Sequence, residues 1–563
     1  MNHHILHEKR EFTNVRDLIE WAGEFYGDKI AYSYRDNPLR GEDIKISFRE
    51  FRDNVRVLAS ELIARGYAGK HCVLVCKPCY AWALTYYAVL SIGAVLVPLD
   101  RDWAAEDLAE TAKTADAQLL ICESELADKA AVIVEQCGLT EPVITIGGEG
   151  ENTLDALTEA GRAKFEGDNE PYYNALIDPM KLSLLVFTSG TTGKGKGVML
   201  SQNSIISNVA DAIPYIDFSD KTVSVLPLHH TYGSTIMLLG HVMIGCEVYM
   251  SAGIRYVQRE LKEQKPGHLI LVPLYLETFY RKIRANIKEQ GKEALVDRMI
   301  KVSNGLRKVG IDRRAQFFGT IRAAFGGNVK TVITGGAPIN PTIIHFFDAV
   351  GISTLNGYGI TECSPLIAFN RSRNVVEGSV GNVMDMDTVK IAEPNEDGEG
   401  EIWVKGPNVM MGYYKNEQAT VEAFEKGYFK TGDYGKLTRD NILYITGRKK
   451  NLIILSNGKN VYPEEIENAL IATPGVLDII VYEGQSRRGM EHNAIVAEVY
   501  PDYDFCQANG IEDVSAYLKT YVDDYNKTAV PYKKIGVVKV RKKEFPKNTL
   551  RKIQRFKLDM SID

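Results

Sequence analysis

Thr188-Ser189-Gly190-Thr191-Thr192-Gly193-Lys194-Gly195-Lys196-Gly197 packs four glycines, four hydroxyl side chains and two lysines into ten residues. It follows Leu184-Leu185-Val186-Phe187, an apolar run that reads as a short buried strand. Glycine lets the backbone turn sharply and approach a ligand closely. Exposed amides, hydroxyls and ammonium groups together suit a polyphosphate. The stretch therefore reads as a nucleotide-holding loop at the end of a strand. Gly190 to Lys196 also fits the spacing G-x-x-x-x-G-K, but that motif needs Ser or Thr next to bind magnesium, and Gly197 stands there. Such a loop would also enter a helix at its lysine. Here Val198-Met199-Leu200 is apolar and leads to Ser201, a helix N-cap candidate. A plain linker is the bland alternative; repeated lysines between apolar runs argue against it.

Around this loop the chain reads as globular. Its 563 residues predict two or more domains. Hydrophobic residues at 45% and charged residues at 25% are the mix of a soluble globular protein. Lys+Arg 67 against Asp+Glu 73 leaves a net charge of −6, which gives no support to global nucleic-acid binding. Of eight scattered cysteines, Cys76 and Cys79 form a lone C-x-x-C with no second pair at zinc spacing. Partly buried thiols in a reducing cytosol are the expected state. Residues 1–14 are polar and charged, unlike a secretory signal, so a cytoplasmic location is expected. Residues 81–99 carry no charge, yet Gly93 and Pro98 divide them into a helix (80–91) and a strand (94–99). A buried helix–strand unit is expected there rather than a membrane span.

Residues 15–140 alternate helical and strand patterns, with a helix over 47–66 and strands at 71–75 and 118–122, which implies an α/β domain with largely parallel sheets. Ligands of such sheets collect at the carboxyl ends of strands. Two further glycine-bearing loops sit there. The strand 329–334 ends in Gly335-Gly336-Ala337-Pro338, before Asn340 as N-cap and Pro341 at the first helical position. The strand 352–355 ends in Asn356-Gly357-Tyr358-Gly359-Ile360-Thr361-Glu362. Three polar loops after three apolar strands are more simply explained by one shared ligand than by three unrelated turns. From 378 to 446 the pattern changes to short alternating strands, read as a small β-barrel-like subdomain. A charged patch around Lys450 follows, then a helix opened by Pro463 and more α/β alternation.

These segments together resemble the adenylate-forming enzyme superfamily, which includes acyl-CoA synthetases, luciferases and nonribosomal adenylation domains. The ordered motifs run from about residue 184 to 555. Thr188, Ser189, Gly190, Thr191, Thr192, Gly193 and Lys196 match the family's T-S-G-T-T-G-x-P-K-G phosphate loop, with Gly195 where proline is usual. Leu226-Pro227-Leu228-His229-His230-Thr231-Tyr232-Gly233 is similar to L-P-x-x-H-x-x-G, which implies that His230 borders the carboxylate and later the thiol tunnel. Asn356 to Glu362 resembles x-G-Y-G-x-T-E. That likeness implies Tyr358 stacking on adenine, Thr361 at the α-phosphate and Glu362 holding Mg²⁺, with Gly335 to Pro338 lying along adenine. An oxygen ligand suits a hard dication, which takes one or two carboxylates. Tyr428-Phe429-Lys430-Thr431-Gly432-Asp433 matches Y-x-T-G-D, implying that Asp433 accepts from the ribose hydroxyls, with Arg448 beside it. Lys450 matches the interdomain hinge. Residues 545–555 resemble P-K-T-x-x-G-K-I-x-R, with Lys552 at the catalytic lysine, Asn548 in place of threonine and Arg551 in place of glycine.

The resemblance implies an α/β fold: residues 1–448 as a large N-terminal domain of parallel-rich sheets carrying the β-rich part, and 449–563 as a small mobile α+β domain. It also implies two half-reactions. A carboxylate attacks the α-phosphate of ATP, giving acyl-adenylate and pyrophosphate; a thiol then displaces AMP. Amino-acid-activating members carry an Asp near the 229–233 motif; none stands here, so an uncharged acyl chain, foremost a long- or medium-chain fatty acid, is expected. No carrier segment follows Lys552, so the thiol is taken to be coenzyme A. A separate acyl-carrier protein as acceptor, or a catalytically impaired nucleotide-binding relative, are the alternatives. Peripheral membrane contact stays open.

Overall fold

The structure, a computed structural model, describes residues 5–188, 195–455, 459–471, 473–484, 494–547 and 553–561. Among these the chain forms five sheets. The first to matter has seven strands. His71–Val75, Val95–Leu99, Leu119–Glu123, Ile144–Ile146 and Leu182–Thr188 run parallel. Lys196–Ser201 turns back antiparallel on Leu182–Thr188, and Gly412–Tyr413 closes that edge.

The uncharged run around residue 90 is core, as its sequence divides. Tyr80–Leu90 is a helix buried on almost every side, which explains why its apolar residues show no single stripe. Val95–Leu99 is buried along its whole length between two parallel neighbours. Gly93 makes the corner between them at φ +69, and a Cβ there would stand 2.3 Å from the Leu176 carbonyl oxygen. Among the described residues no helix is long and apolar enough to cross a membrane. Cys76 and Cys79, at the entrance to this helix, are free thiols with sulfurs 3.6 Å apart.

A ten-stranded sheet carries the second half of the large core. His268–Leu271, Thr331–Gly335 and Ser353–Gly359 are parallel. The path continues antiparallel through Leu366–Phe369, Gly381–Val383, Ile442–Arg448, Tyr428–Leu437, Gly400–Lys405 and Thr388–Ala392. The β-rich segment thus joins an open sheet, and its strands do not close into a barrel. The stretch Asn356 to Gly359 is strand rather than loop. Its glycines serve close approach, not turning: a Cβ on Gly359 would lie 2.1 Å from the carbonyl oxygen of Pro365, which leads into the neighbouring strand.

A four-stranded sheet, Ile44–Ser47, Ile30–Tyr34, Glu247–Met250 and Lys221–Ser224, flanks this core. Beyond Leu452 the apolar side chains gather into clusters of their own. The larger holds Ile453, Val461, Ile466, Leu470, Val481 and Leu518, between the helices Pro463–Leu470 and Val514–Thr528 and the sheet of Val476–Gly484, Ala494–Pro501 and Val537–Val540.

One buried polar cluster resembles a metal centre. Nitrogens of His241 and His268 and the sulfur of Cys246 lie within 4.8 Å of one another. The imidazoles are already spoken for. His241 Nδ1 donates to the Met237 carbonyl at 2.7 Å, so its Nε2 accepts from His268 Nε2 at 2.8 Å, between rings tilted by only 4°. His268 Nδ1 accepts from the Ser219 amide at 3.2 Å. Burial depresses both; His241 falls to about 4. The unfolded chain therefore takes up protons that the folded chain refuses. Stability from this pair is complete above pH 6.5 and is lost as pH falls toward about 4. The thermal midpoint should drop through that window, and His268→Gln should drop less steeply; identical slopes would remove the pair from the account.

Candidate active site

Side chains from the two large sheets meet near the carboxyl ends of their strands. Thr188 and Lys196 are cross-strand partners, so the two ends of the glycine-rich stretch are held together by a ladder. Gly195 lies against that ladder: a Cβ there would stand 2.6 Å from the Thr188 carbonyl oxygen, which accounts for glycine at this position in this chain. Ser201 caps the helix Gln202–Ala212 by accepting from the Ser204 amide, with the Ser204 hydroxyl reciprocating. Such caps stabilise a helix by about 1 kcal/mol. Ser189, Gly190, Thr191, Thr192, Gly193 and Lys552 lie outside the described residues.

The same helix fixes the acidic corner. Asn208, fully buried, donates to the carbonyls of Cys363 and Leu366 and accepts from the Leu366 amide. This clamps the turn Thr361–Cys363 that carries Glu362. The Tyr413 hydroxyl donates to Glu362 Oε1 at 2.9 Å, and the Lys196 ammonium stands 4.6 Å from the centre of the Tyr413 ring. Burial raises the Glu362 carboxyl above the usual range, and the charge of Asp433 adds to the shift. Among the described residues Glu362 has no ion-pair partner. A part-buried carboxylate met by a phenol rather than by a cation fits a hard divalent ion.

Asp433 and Arg448 are opposite one another on the hairpin of Tyr428–Leu437 and Ile442–Arg448, with Arg448 Nε 3.2 Å from the carboxylate. The Tyr358 hydroxyl donates to the other oxygen at 2.7 Å. Asp433 is only 4% exposed, whereas the Arg448 side chain is 43% exposed, so the carboxylate is buried and its cationic partner reaches solvent. Tyr358 lies on Ser353–Gly359, beside Gly335 at the end of its parallel neighbour. Gly336, Ala337 and Pro338 are exposed just beyond, and Asn340 accepts from the Thr342 amide to cap the next helix. Asn356 Oδ1 is buried without a hydrogen-bond partner among the described residues. Such an orphaned acceptor suits a site that receives a polar ligand.

The His230 ring lies 4.2 Å from that of His229, which faces Asp100 at 3.6 Å. Burial lowers the His229 imidazole. His229 is thus packed against the end of the seven-stranded sheet. Thr361 and Ile360 lead from Tyr358 to Glu362, so they follow the same edge. Lys450 stands in the single turn Lys449–Asn451 after the hairpin; Lys449 pairs with Glu401 at 2.9 Å, and burial lowers the Lys450 ammonium.

Tyr413 and Asn208 escaped the reading of the sequence. Each acts across more than fifty residues, and neither belongs to a run of motif residues. The usable signal is the composition of the site itself: a part-buried glutamate needs a donor nearby.

Residues 19–414 match the family model described as AMP-binding enzyme. The chain belongs to that family. The long-chain-fatty-acid–CoA ligase FadD15 of Mycobacterium bovis is 31% identical over 84% of this chain and 80% of its own. A chloroplastic long-chain-fatty-acid–[acyl-carrier-protein] ligase of Arabidopsis thaliana, AEE15, is 27% identical over 85% of this chain and 75% of its own. The fold matches that of ATP-bound MatB from Rhodopseudomonas palustris with a TM-score of 0.75, at 23% identity, over 96% of this chain and 97% of the other.

Proposed function

We propose that this protein activates a fatty acid with ATP, releases pyrophosphate, and passes the acyl group from the acyl-adenylate to coenzyme A. The observation that carries the reading is the linked set Lys196–Tyr413–Glu362 beside Tyr358–Asp433–Arg448 at one end of two sheets. Long-chain acids are the favoured substrates, because relatives such as FadD15 are named for them.

In this reading Thr188 and Lys196 meet the phosphates, Tyr358 and the edge from Gly335 to Pro338 receive adenine, and Asp433 with Arg448 orients the ribose. Thr361 faces the α-phosphate and His230 borders the acyl carboxylate. Glu362 would hold Mg²⁺, which supplies charge neutralisation to the polyphosphate when bound. Both reactants are anions, so positioning and charge stabilisation carry most of the work. Lys552 would neutralise charge where the carboxylate attacks. Residues 449–563 would turn about Lys450 between the half-reactions, withdrawing Lys552 and admitting the thiol.

The second reading, transfer to an acyl-carrier protein, has the support of the Arabidopsis relative. One assay separates the two. Pyrophosphate release is followed with ATP, Mg²⁺ and acids of graded chain length, with coenzyme A, with phosphopantetheinylated carrier protein, or with neither. Sustained turnover only with coenzyme A is expected. Turnover only with the carrier would favour the second reading, and no acid-dependent pyrophosphate release would overturn both.

A further inference from the structure

Cys76-Lys77-Pro78-Cys79 plays no part in the proposed adenylate chemistry. It stands at a corner between a strand and a helix, where redox-active dithiols are placed in α/β proteins. Cys76 follows the parallel strand His71–Val75, and Cys79 is the N-cap residue of Tyr80–Leu90. The two sulfurs are in contact at 3.6 Å but not bonded. A disulfide needs about 2.05 Å, so closure asks for a movement of about 1.5 Å. The turn that would make it is superficial: Lys77 is exposed, and Pro78 and Cys79 are partly exposed.

The two thiols are unequal. Cys76 is 3% exposed and belongs to the main core cluster, whereas Cys79 only packs against that cluster. The Cys76 thiol, donating to the Cys79 sulfur, holds Cys79 below the ordinary cysteine range, and the Trp82 amide in the first helical turn adds to the effect. The same hydrogen bond, together with burial, pushes Cys76 up. Burial and the charge of Glu123 oppose the shift at Cys79 without reversing it. Glu123 is itself offset by Arg101 at 2.6 Å and Lys77 at 3.6 Å. Cys79 is thus the accessible nucleophile, and Cys76 is the buried thiol directly behind it. Among the described residues no His, Asp, Glu or further Cys completes a metal-ligand set with the pair.

We propose that Cys76 and Cys79 form a reversible dithiol–disulfide couple, oxidised by exchange with a low-molecular-weight disulfide. The Cys79 thiolate attacks one sulfur of R–S–S–R; a Cys79–S–R bond forms and R–S⁻ leaves. Cys76 gives its proton to that thiolate, and its sulfur attacks the Cys79 sulfur. The Cys76–Cys79 bond forms and a second R–S⁻ is expelled, which takes from water the proton that Cys79 had given up. Two cysteines are oxidised and R–S–S–R is reduced to two R–SH. The exchange uses neither ATP nor an acyl chain, so it stands whichever acid and acceptor the enzyme takes.

Oxidised glutathione is the probe. The reduced full-length protein is incubated with it near neutral pH, quenched in acid, alkylated with N-ethylmaleimide in denaturant and mapped by peptide mass spectrometry. Cys76 and Cys79 should lose alkylation together, in a fragment two hydrogens lighter, and dithiothreitol should restore both. Cys72, buried earlier on the same strand, should stay alkylated. In Cys76→Ser the exchange should halt after its first step and leave glutathione on Cys79. Cys79→Ser should take up about tenfold less, because the remaining thiol is buried. Thermal midpoints check that both variants fold, and the result with the parent needs neither. In the parent, iodoacetamide should also modify Cys79 about tenfold or more faster than Cys137, another partly exposed cysteine that burial pushes up. No disulfide, a disulfide to Cys72, glutathione left standing on Cys79 of the parent, equal uptake by the two variants, or a Cys79 no faster than Cys137 overturns the proposal.

Discussion

Lys552→Ala should slow acyl-adenylate formation by roughly 10²- to 10³-fold, the usual loss when one preorganised electrostatic group is removed from a charge-developing step. Thiolysis of supplied acyl-adenylate should stay within a few-fold of the parent. The two ends of the segment that carries Lys552 are anchored. Lys547 and Ile553 form an antiparallel bridge, and the Gln554 amide donates to the Pro546 carbonyl at 2.8 Å. Lys547 pairs with Asp478 at 2.7 Å; Arg555 donates to the Val481 carbonyl at 2.9 Å and pairs with Glu467. Asp478 and Val481 lie on Val476–Gly484, and Glu467 on the helix packed beside it. The base of the segment is therefore part of the small sheet and would travel with it. Truncating Lys552 leaves those anchors intact, so the loss should fall on chemistry and not on folding. Arg551→Gly, restoring the family's residue, should leave the split between half-reactions unchanged. Equal loss of both half-reactions in Lys552→Ala would take the assigned role away from this lysine.

How much was legible beforehand follows from how local each signal is. The strand before the glycine-rich stretch, the cap at Ser201, the cap at Asn340 and the helix–strand division at Gly93 all rest on neighbours within a few residues, and each stands as read. The glycines of Asn356 to Gly359, after an apolar run, suggest a loop. Pairing with Thr331–Gly335 on one side and Leu366–Phe369 on the other overrides that preference. The β-rich segment has the alternation of a small barrel, yet alternation does not say where the edge strands pair. Here Gly381–Val383 bonds Leu366–Phe369, which welds the segment onto the parallel sheet. Tyr413 was invisible because it reaches Glu362 only through the ladder of Gly412–Tyr413 with Lys196–Ser201.

Asp433→Ala should lower kcat/KM for ATP by about 10²- to 10³-fold, mostly through KM. The buried carboxylate meets Tyr358 and Arg448, and hydrogen bonds to a charged group contribute about 1.5–3 kcal/mol each. Two such bonds to the ribose hydroxyls would account for that range. A purely structural role predicts a similar loss, because Ala strands the Tyr358 hydroxyl and the Arg448 guanidinium. A cycle with modified nucleotide separates the cases. The parent enzyme should use 2′-deoxy-ATP and 3′-deoxy-ATP poorly. In Asp433→Ala those penalties should nearly vanish, since the acceptor they depend on is gone. Tyr358→Phe removes a competitor for the carboxylate without removing the acceptor, so its penalties for the deoxynucleotides should persist or grow. If Asp433→Ala still rejects both deoxynucleotides as strongly as the parent, Asp433 holds the hairpin in register with Tyr358 and the ribose is read by other groups.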